Sequence, residues 1–455
     1  MDHDPASGPG MTTAGHTGPD EVAGSLSLRA AVALGTGVMI GAGIFVLPGQ
    51  VAELTGDLFP LAFLVAAIVV AFSSYSYVKL SAAFPSSGGI AMFLKEEYGL
   101  GTVTGVFALF MYISMVISES LVARTFGTYM LQIVDLSPKS FWVPALGVML
   151  LVAAFAVNLA GNRAVEASAG VMAIIKIGGL AVFAIAGLWL SSAANFSNGA
   201  DTGGLSPSIS GFLAGVALSI LAYKGFTTIT NSGGEIVDPH RNTGRAIVIS
   251  IAICSVLYVG ISLAIAGTLT ITEVVDAANF ALARAAEPAF GDAGLWSTVV
   301  IAIIATASGI VASIFAASRM LAMLTRMKEV PHRHFGLPGN LRLHTMMYTV
   351  AFAITLTVLL DLGRIASLGA IYYLIMDIAI HWGLLRHLRS RIDVKSSIVV
   401  TAIVLDVVVL AAFLWVKGSE DALILYVSAV SIAAIVIAER LFMRSHTDAN
   451  GNMDM

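Results

Sequence analysis

VMIGAGIFVLPG (Val38–Gly49) puts Gly41, Ala42 and Gly43, and then a proline, inside an apolar segment otherwise long enough to cross a bilayer. A helix in hydrocarbon keeps its backbone hydrogen-bonded, because an unsatisfied N–H or C=O there costs several kcal/mol. Small residues that let the helix open are sensible only if something else occupies the freed groups. A second interruption, AYKGFTT (Ala222–Thr228), lies in another apolar segment roughly 180 residues further on. Two broken helices in corresponding halves of a chain are the strongest pointer in a single sequence to a transporter's binding site.

Composition agrees. Of 455 residues, 57% are hydrophobic and 11% charged, against about 25% charged in soluble domains. An ordinary soluble enzyme is excluded, and no nucleophile arrangement or soluble catalytic domain is visible. The formal charge of −4 and the scattered basic residues give no footprint for nucleic acid; the partner is the lipid bilayer. The single cysteine, Cys254, forms no intrachain disulfide and no thiolate metal site. No cofactor is expected, and the histidines show no metal-ligand spacing. Residues 1–25 are polar, rich in Gly, Pro, Asp and Thr, and read as a disordered tail, not a cleavable signal.

Apolar runs near the ~20-residue spanning length fall at 28–54, 58–83, 102–133, 141–160, 164–191, 211–236, 245–269, 294–325, 344–361, 364–386, 396–416 and 421–442. None alternates with period two, so an outer-membrane barrel is not expected. Of the 24 lysines and arginines, only Lys139, Arg284, Arg364 and Lys417 fall in outer loops if the N-terminus is inside. Arg124, Lys176 and Lys224 fall within spans. The remainder gather on the other side, which predicts both termini in the cytoplasm of a multi-pass cell-membrane protein. The interrupted spans are the first and the sixth. Five spans counted from each break form two halves, 26–191 and 211–390, entering the membrane from opposite sides. A further pair of spans occupies 395–443, and 444–455 forms a second cytoplasmic tail. The expected fold is all-α, with twelve transmembrane helices in a five-plus-five inverted repeat and two helices appended.

Four motifs resemble one family. GAGIF (Gly41–Phe45) is similar to the first-helix motif of the amino acid–polyamine–organocation (APC) superfamily. PSSGGIAMFLKEEYG (Pro85–Gly99) resembles its short inner helix after helix two. YKGFTTITNSGGEIVDPHRNTGRAI (Tyr223–Ile247) resembles its sixth helix and following loop, and ASRMLAMLTRMKEVP (Ala317–Pro331) the end of helix eight. They occur in the family's order over about residues 26–390. The lysine in VMAIIKIGGLAVF (Val171–Phe183) resembles the sodium-independent, proton-coupled ApcT-type branch. Ala91 departs from an aromatic position of many members, and Met327 with Lys328 from the usual Asp-Gly. The resemblance implies a LeuT-like secondary transporter that imports amino acids with H⁺ by alternating access. Amino acid or amine exchange is the alternative, followed by a cation permease and a non-transporting sensor on the same fold.

The breaks suit a zwitterion. N–H groups of Gly41, Ala42, Gly43 and Ile44 open a half-helix whose dipole favours a carboxylate. Carbonyls near Ile40 and along Leu221, Ala222 and Lys224, beside Gly225, can accept ammonium hydrogens. Glycines that permit close helix packing or a simple kink are the plainer reading. Phe226 can cover the substrate or pack in the core, and Tyr223 and Tyr112 can face the cavity or pack. Lys176 lies mid-span, where an ammonium marks a functional position by default. The resemblance implies that it takes the place of Na⁺, bridging helix-one carbonyls and helix-eight groups, among them Ser308 or Ser313. A permanently charged strut is the other reading. Glu119 and Lys224 form a candidate cavity charge pair. Alternatively Lys224 receives an acidic substrate while Glu119 transfers protons, or Lys224 snorkels and Glu119 stays protonated. Asp377 and His381, four apart, share a helix face near the basic inner end, which favours interfacial structure over a proton relay. Glu235 is expected to pair with inner-loop arginines, and Arg124 to snorkel outward.

Overall fold

The computed structural model describes residues 24, 26–41, 43–134, 136–137, 139–160, 162–191, 208–330 and 341–446. Ala42 and most of the two tails lie outside this range. Among the described residues the chain is helical; the exception in pairing is one isolated parallel bridge between Leu26 and Ile236.

Helix α1 (Leu28–Met39) starts on the side chain of Ser27, which accepts from the Ala30 N–H, and ends at Ile40, where ψ turns to 44°. Helix α2 (Gly43–Thr55) then begins afresh. Pro48 lacks a backbone N–H and frees a carbonyl of the preceding turn; nearby, the Tyr129 hydroxyl donates to the Phe45 carbonyl at 2.9 Å. A 3₁₀ turn (Gly56–Leu58) leads into α3 (Phe59–Ala83). The short α4 (Gly89–Tyr98) stops at Gly99, whose φ of 78° suits glycine. There follow α5 (Thr102–Ile133), α6 (Lys139–Leu159) and α7 (Asn162–Leu190).

The second break is a tightening, not an open gap. Helix α8 (Ile209–Tyr223), capped by Ser208, runs into a 3₁₀ turn (Lys224–Phe226) and then α9 (Thr227–Asn231). All residues from Tyr223 to Thr227 stay in the right-handed helical region. The threonines explain it: Thr227 Oγ1 donates to the Lys224 carbonyl at 2.9 Å and Thr230 Oγ1 to the Thr227 carbonyl at 2.6 Å, so local hydroxyls answer carbonyls that tightening exposes. The rest is α10 (Pro239–Thr268), α11 (Ile271–Ala277), α12 (Ala281–Arg326), α13 (Leu341–Leu359), α14 (Leu362–Gly383), α15 (Ser396–Glu420) and α16 (Ala422–His446). Helix α12 starts earlier than the apolar run predicted and is broken at Gly291, where φ is 64°.

Among the described residues eleven helices are long and apolar enough to cross a membrane. The sequence-based number was twelve; α2, the 3₁₀ turn and α3 form one continuous helical stretch, Gly43–Ala83, of 41 residues. Burial sorts them. The most hydrophobic windows of α5, of the α8–α9 stretch and of α14 are each 78% buried, whereas those of α6 and α16 are 22% and 17% buried. The first group is therefore the core that builds the site, and the second presents leucines and valines outward, as a lipid-facing shell does.

Candidate functional site

Where α1 stops and α2 starts, the chain meets the 3₁₀ turn. A Cβ added at Gly43 would come within 2.6 Å of Ala222 Cβ, and one at Gly225 within 2.6 Å of the Met39 backbone nitrogen. The two breaks thus touch through glycine in both directions. Between them and α5 lies a cavity of about 30 Å³, room enough for water. Gly43, Leu221, Ala222, Lys224 and Gly225, assigned to the substrate from sequence, line it, and so does Ser313, which was assigned to the coupling contact. Ser118, Met115, Thr227 and Thr228 line it too and were missed. Two of these stood in the quoted KGFTT motif.

Several expected wall residues are elsewhere. Ile40, Gly41 and Ile44 are buried beside the cavity without lining it. Tyr223 turns away: its hydroxyl donates to the Phe63 carbonyl at 3.2 Å and its ring meets Tyr258 edge-on. Phe226 is fully buried with its ring edge-on to Tyr77, centroids 5.1 Å apart, so here it is a core residue behind the turn and not a cover. Tyr112 shares a 3.0 Å hydrogen bond with Thr349 and joins α5 to α13. Of the carbonyls assigned to an ammonium, Lys224 O already accepts from Thr227, and Ala222 O from Tyr258 at 3.4 Å.

The intramembrane charges have specific partners. Lys176 is fully buried on α7, and its ammonium donates to the Gly37 carbonyl at 2.7 Å and to Ser308 Oγ at 3.0 Å. It therefore ties α7 to the last turn of α1 and to α12. That turn carries the negative end of the helix dipole. Ser313 is not part of this contact; its hydroxyl donates to Glu119 Oε1 at 3.3 Å. Glu119 and Lys224 are close enough to attract each other but are not in direct contact. Lys224 Nζ is held by Ser114, through its carbonyl at 2.5 Å and its hydroxyl at 2.8 Å, and makes no ion pair with Glu119. Glu119, fully buried, keeps Oε2 without a hydrogen-bond partner among the described residues. Ser114 and Ser118, four apart on α5, form a polar stripe that the sequence reading overlooked. Arg124 is half-occupied internally, its Nε donating to the Thr357 carbonyl at 2.8 Å.

At the α1 N-terminal end the spans are clamped. The Leu26 N–H donates to the Glu235 carbonyl at 2.8 Å, and Val237 N–H returns to the Leu26 carbonyl at 2.9 Å. The Glu235 side chain pairs with Arg319 within α12, not with an arginine of the inner loop. Just beyond, Glu329 accepts from the Gly101 N–H at 2.9 Å, yet burial outweighs that bond and pushes its carboxyl up to about 6. Asp377 and His381 are both at most 1% exposed, and a third residue, Asp406 of α15, joins them. Asp406 was overlooked, although a lone acid in an apolar span was signal enough.

Helices crossing a bilayer around a small cavity, with a buried ammonium joining three of them, define a membrane transporter. The match to known proteins extends this: residues 26–438 fit the model of the amino acid permease family, and the chain belongs to that family. It is 30% identical to the inner membrane transport protein YbaT of Escherichia coli, over 94% of this chain and 97% of that one. It is 27% identical to the methylthioribose transporter of Bacillus subtilis, covering 64% and 65% of the two chains. It is 26% identical to the vacuolar cationic amino acid transporter 4 of Arabidopsis thaliana, covering 68% and 54%.

Proposed function

We propose that this protein accumulates amino acids with H⁺, without Na⁺, by alternating access around the two breaks. In this reading twelve spans are present, α1 with α2 forming the first and α3 the second. They form inverted repeats over 26–191 and 211–390, followed by the pair in 395–443, with both tails (1–25 and 444–455) in the cytoplasm. The observation that carries it is the Lys176 ammonium held between Gly37 O and Ser308 Oγ. A protonated lysine there clasps α1 to α12; once it loses its proton, the charge that holds the last turn of α1 is gone. Substrate and proton are then linked through the same helix.

The substrate carboxylate is assigned to the first turn of α2, whose N–H groups have no intrahelical partner. Its ammonium is assigned to the carbonyl end of α1 around Ile40. A cavity of about 30 Å³ admits no amino acid, so α1 and α2 must part from the Lys224–Phe226 turn on binding. Lys224 at the wall repels cationic substrates and favours neutral or acidic ones. The named relatives carry dissimilar cargo, a cationic amino acid in one and methylthioribose in another, so substrate choice rests on this wall.

The test is uptake of labelled amino acids into proteoliposomes in Na⁺-free buffer, with and without an inwardly directed proton gradient. Gradient-driven accumulation is expected in the wild type. Lys176→Met should lose accumulation and keep counterflow exchange. Wild-type accumulation that requires Na⁺, or Lys176→Met accumulation at the wild-type level, overturns the reading.

A further inference from the structure

Asp377 and His381 on α14 and Asp406 on α15 converge outside the substrate cavity, none more than 1% exposed. One oxygen or nitrogen from each lies within 4.8 Å of the other two. His381 Nε2 is 3.4 Å from Asp406 Oδ2 and 3.6 Å from Asp377 Oδ1, beyond the ~2.7–3.2 Å of an N–H···O bond. Neither Asp406 oxygen, nor His381 Nε2, has a hydrogen-bond partner among the described residues. Buried carboxylates ordinarily do.

Asp377 and the other imidazole nitrogen are, by contrast, hydrogen-bonded. Ser73 Oγ donates to Asp377 Oδ2 at 2.7 Å and the Tyr77 hydroxyl to Oδ1 at 2.6 Å. His381 Nδ1 bonds Ser76 Oγ at 2.9 Å. When Nδ1 donates that bond, Nε2 turns its lone pair toward two carboxylates. Three electron-rich groups then face one another, with two formal negative charges. Among the described residues no lysine or arginine forms an ion pair with them. Such an arrangement is stable only once a positive charge enters it, either a proton on His381, whose Nε2 is within ion-pair distance of both carboxylates, or a bound cation.

We propose that Asp377, His381 and Asp406 bind a divalent transition-metal cation such as Zn²⁺. A doubly charged ion neutralises the two carboxylates. One imidazole nitrogen and two carboxylate oxygens are a donor set that such ions accept. Ligands at about 2.0–2.1 Å around a tetrahedral ion stand roughly 3.3 Å apart, close to the 3.4 and 3.6 Å found. The Ser76 bond fixes the imidazole tautomer, and the Ser73 and Tyr77 bonds orient the carboxylate, as outer-shell groups of metal sites do. Tyr77 also carries the consequence outward: its hydroxyl holds Asp377 and its ring stands edge-on to Phe226 in the second break. A bound ion pins α14 to α15 and, through Tyr77, steadies the 3₁₀ turn at the substrate cavity.

The experiment uses the full-length transporter in detergent, purified without a polyhistidine tag, stripped with EDTA and dialysed. One Zn²⁺ per chain is expected by elemental analysis after re-addition at micromolar concentration, with a rise in melting temperature. Co²⁺ in its place should give the visible absorption of a four- or five-coordinate N/O site, which needs no variant. Ser76→Ala, which leaves all three ligands, should weaken Zn²⁺ binding about 10–100-fold, and Asp406→Asn should abolish it. The proposal is overturned if the wild type binds no stoichiometric metal, or if Asp406→Asn binds as tightly as the wild type. It is also overturned if acid raises the melting temperature in EDTA through His381 while Zn²⁺ and Co²⁺ leave it unchanged, which identifies the cluster as a proton site.

Discussion

Gly43→Ala tests the contact between the two breaks most directly. Gly43 is already helical, so alanine is locally compatible and favours the helix by up to about 1 kcal/mol. The penalty comes wholly from across the gap, where the new methyl would stand 2.6 Å from Ala222 Cβ and 2.8 Å from Ala222 Cα. Comfortable carbon–carbon contact is ~3.5–4.0 Å, so α2 and α8 must part by about 1 Å. Ala222 presents backbone there and cannot swing aside. Forcing one methyl into a packed contact costs about 1–3 kcal/mol. Spent on the separation that substrate binding needs, 2 kcal/mol corresponds to roughly a 30-fold change in affinity. Gly178→Ala is the control, because nothing lies within 4 Å of a Cβ there. Proteoliposome uptake and melting temperature in detergent are measured for both. A tenfold or greater shift in KM, or a clear loss of melting temperature, is expected for Gly43→Ala alone. If Gly43→Ala matches Gly178→Ala in both measurements, the breaks do not meet as described.

Glu329 supplies a pH dependence with a definite sign. Burial raises its carboxyl from 4.5 to about 6, so the fold favours the protonated form. The associated stability is complete below about pH 4.5 and is lost as pH rises through 6. Wild-type melting temperature should fall over that window by more than that of Glu329→Gln, and parallel pH curves would refute it. The Glu235–Arg319 pair supplies a double-mutant test. Arg319→Leu alone strands the buried Glu235 carboxylate, at about 3–5 kcal/mol, and Glu235→Leu takes one partner from Arg319. The double variant should lose less stability than the sum of the two, and strict additivity of unfolding free energies would remove the clamp.

The spans were legible because each is a local matter. In hydrocarbon a segment must satisfy its own backbone, so length and composition mark it wherever it later packs. The first break was legible for the same reason, since Gly41 and Gly43 weaken one particular turn. The second was read half correctly. Gly225 marked its place, but whether the chain opens or tightens depended on Thr227 and Thr230 finding the carbonyls of Lys224 and Thr227. Partners of the buried charges were the hardest part. Lys224 was expected on Glu119 because opposite charges attract. In the folded chain Ser114 reaches the ammonium with two oxygens, and Glu119 turns to Ser313.

The amino-acid sequence by itself determined that this chain lives in a bilayer, where its helices run, where they are weakened and that Glu119, Lys176 and Lys224 lie within them. Those properties follow from the solvation of each segment taken alone. Tertiary structure alone decided that Lys176 lies between Gly37 and Ser308, that Phe226 sits behind the cavity, and that Asp406 closes a cluster with Asp377 and His381. Lys176 and Gly37 are 139 positions apart and Lys176 and Ser308 132, while His381 and Asp406 come from successive helices. These contacts depend on which helix faces meet, and that is a property of the whole packed bundle.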